Sequence, residues 1–352
     1  MEQFLGDAKS RNNALNLFRV ILAIFVLISH SFPLGGFGSE PSIGGLSLGG
    51  FAVAGFFSIS GFLVTRSRRN LSPIEFARRR ILRIYPGYIV AIIVTALVLS
   101  LAMDFSVSSW SISSALSYIA WSLPLILGQS SALTATVSGL PYPLGVNGNL
   151  WTLAPEAILY VALAISFSFA FFKRMKWSWI FVNAICSFIT ILLQNGLLTF
   201  HDGINNKIVM LFFLTNYFFA GVFLSSLRER LKGNWASFIA SSLLGLALTN
   251  LGFGYSLASI FYAYSILWLS SKIPSKAMRL NSVNDYSYGL YLYSFPVQQI
   301  LSRLEIQNLG LPFFIFASVV ATAPLAILSW RFVEKPALEF SRNFSSKKSI
   351  GK

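Results

Sequence analysis

The chain is built from apolar blocks of roughly 18 to 25 residues, each long enough to cross about 30 Å of hydrocarbon as an α-helix. No other feature constrains its fold as much. In lipid a bare backbone N–H or C=O finds no water, so a spanning segment is either a helix or part of a closed barrel. The blocks are unbroken apolar runs, not ten-residue alternating ones, which selects helices. Composition agrees, with 55% hydrophobic and 11% charged among 352 residues, against about a quarter charged in soluble domains. The expected fold is an all-α integral membrane protein of about ten transmembrane helices, at roughly 13–32, 48–66, 84–103, 148–172, 177–198, 207–227, 235–251, 254–270, 285–303 and 311–332. The stretch 105–146 mixes Ser, Gly and Pro with apolar patches and has room for a short re-entrant or surface helix.

Orientation follows from the basic residues. Alternate connections and both ends hold 24 of the 27 lysines and arginines; the opposite side holds Lys207 and Arg303, and Arg19 lies within the first span. Basic residues concentrate on the cytoplasmic side, so both termini are expected there. The formal charge of +15 is then a signal of topology, and nucleic acid is not an expected partner. Residues 1–12 and 333–352 read as tails of one membrane domain covering 1–352, with no fused soluble domain. Cys186 stands alone, which excludes an intramolecular disulfide, and His30 and His201 are the only histidines, so no metal site is expected. His201 beside Asp202 reads as an exposed loop pair.

"LFRVILAIFVLISHSF" (17–32) is an apolar run with Arg19 at one end and His30 at the other. Eleven residues of helix make three turns plus about 20°, which puts both on nearly one face, about 16 Å apart. Ionisable residues within a span usually face a bundle interior, a cavity or the interface. A neutral imidazole is a natural general base, and an arginine fork suits a phosphate. Glu156 is the only carboxylate placed well inside a span, at a depth comparable to His30. In "FARRRILRIYP" (76–86) and the residues before it, seven arginines face one Glu75. That is an anion trap, a topological anchor, or both. Trp151 suits a sugar ring or an interfacial belt. Ser58 suits a ligand or its own helix backbone.

These elements together resemble the acyltransferase-3 membrane family. The carriers are Arg19 and His30 separated by ten residues, "GFFSISGFLVTRSRRN" (55–70), Arg80 and Arg83 as an RxxR pair, "NGNLWTLAPEAILYV" around Glu156, "YSYGLYLYSFPVQQI" (286–300) and "SWRFVEKPAL" (329–338). Many relatives carry histidine where Ser294 stands, which raises the demand on His30. The resemblance implies a multi-pass protein of the bacterial inner membrane. It would move an acyl group, usually acetyl, from cytosolic acetyl-CoA to an extracytoplasmic saccharide: an exopolysaccharide, an O-antigen or a lipid-linked precursor. Acetyl-CoA enters as co-substrate, and no tightly bound cofactor is implied. In this reading Arg19, Arg80 and Arg83 hold the donor's phosphates, and His30 acts as base or as acyl carrier. Glu156 orients the imidazole or handles the proton, Trp151 and Ser58 contact substrate, and Arg331 with Glu334 forms a helix-end ion pair. A transporter or flippase of a lipid-linked saccharide is the competing reading. The stretches 33–50 and 105–146 are the expected outer lining and show no recognisable catalytic pattern.

Overall fold

The computed structural model describes residues 2–3, 15–104, 109–127, 130–200, 204–228, 230–272 and 284–341. His201, Asp202, residues 4–12 of the N-terminal tail and the basic residues from Arg342 onward lie outside them, as do Lys276 and Arg279. The helices are α1 (Leu15–Leu34), α2 (Leu48–Asn70), α3 (Pro73–Val94), α4 (Ile112–Ser122), α5 (Leu153–Ser166) and α6 (Ser178–Gln194). They continue with α7 (Asn205–Leu227), α8 (Trp235–Leu248), α9 (Ser259–Lys272), α10 (Ser287–Arg303) and α11 (Leu311–Ser329). Each of the expected spans overlaps one of these helices, and α4 is a short helix within 105–146. Among the described residues, six segments are long and apolar enough to cross a membrane, and α5 and α6 are shorter apolar helices. Among the described residues, strand is limited to two-residue pairings, such as Ser42–Ile43 with Leu46–Ser47.

Two boundaries differ from expectation. The basic exit from the second span is helix, not loop: α2 runs to Asn70 and α3 restarts at Pro73, which places Arg78, Arg79, Arg80 and Arg83 on α3. The cause is a strong start signal, because Ser72 Oγ accepts from the Glu75 N–H (3.2 Å) and Pro73 fills the first turn. The expected C-terminal tail likewise begins as helix, since α11 carries on to Ser341 through a π turn at Trp330–Glu334. There the Lys335 N–H bonds to the Trp330 carbonyl, and this one-residue slip lets Pro336, which has no N–H, follow without ending the helix.

The chain divides into two compact units interleaved along the sequence. The first comprises Met1–Leu22, Ser42–Phe76 and Ile158–Asn284. Its core is the contact of α2 with α7, made through two glycines. A Cβ on Gly61 would lie 2.0 Å from the Phe218 carbonyl oxygen, and one on Gly221 would lie 2.1 Å from that of Ser58. Between helices in lipid, close backbone approach replaces the hydrophobic drive. Buried amides add to it: Asn216 donates to Thr190 (2.9 Å) and to the Tyr255 carbonyl (3.0 Å), while Asn183 donates to the Asn216 carbonyl (2.7 Å). Arg68, itself buried, donates to the carbonyls of Leu71 and Ala164. Substituting Gly61→Val should force the helices apart and cost about 1–3 kcal/mol, read as a lower melting temperature in detergent, with Gly145→Val, where a Cβ meets nothing within 4 Å, as the comparison for a glycine outside the contact.

The second unit comprises Ala23–Pro41, Ala77–Ala157 and Asp285–Lys352. Arg303, at the end of α10, ties it together by donating to the carbonyls of Met103 (2.7 Å), Thr136 (3.0 Å) and Ser138 (2.9 Å). Asp104 closes the helical run that continues α3 to Met103, accepting from the Ser109 hydroxyl (2.6 Å) and from the N–H groups of Ser109 (2.9 Å) and Trp110 (2.7 Å). Burial pushes its carboxyl up, but these donors and the charge of Arg303 outweigh that, so the net shift is downward. A carboxylate with a lowered native pKa stabilises the fold above its unfolded value near 4, and that stabilisation disappears as pH falls through the native value. Melting temperature followed from about pH 6 to pH 3 should fall more steeply for the native chain than for Asp104→Asn.

Candidate functional site

The site begins where α1 ends. The chain turns back after Leu34 through Gly36 and Gly38, whose φ values of 74° and 99° belong to a region that glycine enters at little cost. This return carries Glu40 onto the last turns of α1. Its Oε1 lies 2.9 Å from His30 Nδ1, and its Oε2 accepts from Ser29 Oγ at 2.6 Å. Two adjacent residues of one helix thus hold both oxygens of one carboxylate. A carboxylate on Nδ1 selects the tautomer with its proton there and leaves Nε2 to accept a proton. The pair is partly open, with side-chain exposures of 22% and 24%, and the edge of the ring meets Phe295 of α10, 5.5 Å between centroids.

Helix α10 is shaped for this contact. Pro296 removes the N–H that would have bonded the Leu292 carbonyl, and Asn147 Nδ2 donates to that carbonyl instead (2.9 Å). Asn149 Nδ2 donates to the Tyr291 carbonyl (2.7 Å) and to Ser294 Oγ (3.0 Å). Ser294 is fully buried in this bond. Gln298 Nε2 reaches α1 beside His30, donating to the Leu27 carbonyl (2.9 Å) and Ser31 Oγ (2.7 Å). Three polar side chains in the last turns of α1, Ser29, His30 and Ser31, therefore engage partners brought by folding.

The other expected residues take distinct positions. Glu156 sits in the first turn of α5, half-buried, where it acts electrostatically on Tyr288 and Tyr291. Tyr291 OH also bonds Thr152 Oγ1 (2.7 Å), one turn before Glu156. The carboxylate that orients the imidazole is Glu40, which the sequence reading passed over. Arg83 pairs with Asp285, whose other oxygen accepts from Ser287, and its guanidinium lies 5.9 Å from the Tyr288 ring centroid. Asp285 is thus a second carboxylate among the arginines, beyond Glu75. Arg80 is half-buried one turn earlier on α3. Arg19, in the first unit, is half-buried on α1 with its guanidinium 5.8 Å from the Phe56 ring centroid. Ser58 is fully buried and gives its proton to the Ala54 carbonyl (2.9 Å). Trp151 is 43% exposed on the turn Leu150–Thr152. Glu334 is buried and accepts from Ser329 (2.9 Å), while Arg331 lies over the Phe332 ring.

Comparison with known proteins identifies the family of the chain. The acyltransferase-3 family model, described as an acyltransferase domain, matches residues 12–331. The chain belongs to the acyltransferase-3 family. Similar proteins include the O-acetyl transferase of Shigella phage Sf6, 28% identical over 335 residues covering 92% of this chain and 96% of the relative. Nodulation protein 10 of Rhizobium leguminosarum bv. viciae is 28% identical over 362 residues, 94% of each chain. The exopolysaccharide production protein ExoZ of Rhizobium meliloti (strain 1021) is 25% identical over 312 residues, covering 84% of this chain and 92% of that one. No solved structure matches. Membership makes the chain an acyltransferase, and its apolar helices make it a multi-pass membrane protein. Glu40→Gln keeps the size of the side chain while removing the carboxylate that holds His30 Nδ1 and Ser29 Oγ. Acyl transfer by this acyltransferase-3 chain should fall about 10²–10⁴-fold with little change in melting temperature.

Proposed function

We propose that the chain is an O-acyltransferase that moves an acyl group, acetyl by default, from cytosolic acyl-CoA to a saccharide hydroxyl on the far side of the bacterial inner membrane. The observation that carries this reading is the His30–Glu40 pair, an imidazole whose Nδ1 is held by a carboxylate and whose Nε2 is left for proton transfer. The relatives' names supply the substrate class: one is an O-acetyl transferase and another an exopolysaccharide production protein. Ten spans with both termini cytoplasmic complete the proposal, with the basic connections on the donor side.

In the proposed reaction Nε2 takes the proton of the acceptor hydroxyl as its oxygen attacks the thioester carbonyl. The C–O bond forms, the C–S bond breaks, and the departing CoA thiolate receives the proton from the imidazolium. Glu40 stabilises that imidazolium, which favours the base role of His30 over the acyl-carrier role. Arg80 and Arg83 are proposed for the donor's phosphates, Arg83 exchanging Asp285 for phosphate, and Arg19 is a further candidate on α1. Glu156, beside Tyr288 and Tyr291, is proposed as a second proton-handling group. Trp151 is a candidate for acceptor contact, and Ser58 is proposed to act by holding α2 in shape.

The full chain in proteoliposomes, given radiolabelled acetyl-CoA and base-de-esterified surface polysaccharide from the expressing cells, tests the reading. Label should pass to the polysaccharide with the native chain and fall below detection with His30→Ala at equal expression. Robust acetylation by His30→Ala, or movement of unmodified saccharide without label, would overturn it.

A further inference from the structure

The segment Leu140–Asn149 is fixed by buried amides. Gln299 Nε2 donates to the carbonyls of Tyr142 (2.8 Å) and Gly145 (2.9 Å), while Asn147 and Asn149 bond the α10 carbonyls described above. All three amide residues are at most 1% exposed. Pro141 and Pro143 bracket Tyr142 and restrict the backbone on either side of it. Yet Tyr142, the aromatic side chain this segment presents, is only half-buried. Its ring stands 5.7 Å from Phe295 in an edge-on arrangement, and Phe295 is the ring that meets His30. Phe295 holds its place because residue 148 is glycine, where a Cβ would come within 2.5 Å of the ring. The Tyr142 hydroxyl feels the charge of Glu40. Burial first, and that charge second, push its pKa up, so it remains a neutral hydrogen-bond donor across the physiological range.

We propose that Tyr142 is the acceptor-binding residue of this enzyme, its ring lying against the C–H face of a pyranose and its hydroxyl donating to a sugar oxygen, so that a neighbouring sugar hydroxyl faces His30. A phenol on a fixed backbone is suited to a saccharide, because it offers an apolar body with a polar tip at little entropic cost. Trp151 is exposed on its own turn, whereas Tyr142 is joined to His30 through a single ring. The proposal rests on the O-acyltransferase reading for its substrate class.

Tyr142→Phe and Tyr142→Leu distinguish a sugar platform from a mere cover over Phe295, since leucine fills much of the space but offers no aromatic face. In the proteoliposome assay, Tyr142→Leu should raise the KM for de-esterified polysaccharide about tenfold or more while the KM for acetyl-CoA stays within twofold. Tyr142→Phe should stay within about threefold of the native acceptor KM. A native-like acceptor KM in Tyr142→Leu, or equal shifts in both KM values, would overturn the proposal. Direct binding of the same polysaccharide to purified protein is measured in parallel. If the native chain transfers no acetyl, the acyltransferase reading fails by itself. Binding that weakens in Tyr142→Leu and persists in Tyr142→Phe would still support the platform, and binding equal in all three proteins would refute it.

Discussion

A polar group inside a membrane protein must find its partner within the chain, and that requirement organises this fold. Several departures from regular helix are met by side chains brought from elsewhere. Pro296 leaves the Leu292 carbonyl without its helical donor, and Asn147 supplies one. Arg303 serves three carbonyls at the end of α10, and Arg68 serves two in the other unit. Where no such partner is needed, as between α2 and α7, the chain uses glycine and lets backbones touch. The interior is thus close-packed where it is apolar and cross-linked by hydrogen bonds where it is not.

The site grows out of the same requirement. Gln298 bonds α1 beside His30, Asn149 bonds α10 beside Phe295, and Glu40 closes over Nδ1. With its neighbours held by side chains that are themselves buried, the imidazole is oriented before any substrate arrives. In the proposed reaction, preorganisation of this kind would lower the cost of reaching the transition state, because the protein need not rearrange as charge develops. The donor side is built differently. Arginine is abundant on α3, but Arg83 already has a carboxylate partner in Asp285, so a phosphate at the proposed donor site would have to compete with an internal anion.

Much of this was legible in the chain. Every expected span fell on a helix, because hydrophobic length is read residue by residue and needs no tertiary information. His30 stood out for a related reason: an ionisable residue in an apolar run calls for an explanation. The start of α3 was also legible in "SPIE" (72–75), a cap, a helix-starting proline and an acidic third position, yet the arginine run that follows read as loop. Glu40 was not legible. It lies ten residues past His30 in a glycine-rich turn, where no periodicity relates it to the ring, and the glycines of "GGFGSE" (35–40) hinted only that the chain reverses there. Glu156 stood out because it sits in an expected span, and the fold places it where it acts on Tyr288 and Tyr291.

The sequence by itself determined the helical membrane architecture, the family and the histidine, because hydrophobicity, charge placement and motif order are carried along the chain. Tertiary structure decided which carboxylate meets that histidine, which amides repair the proline break in α10, and which arginine already has a counter-ion. Those choices turn on separations of about 3 Å between residues far apart or aperiodic in sequence, and only the folded turns and helix contacts set such distances.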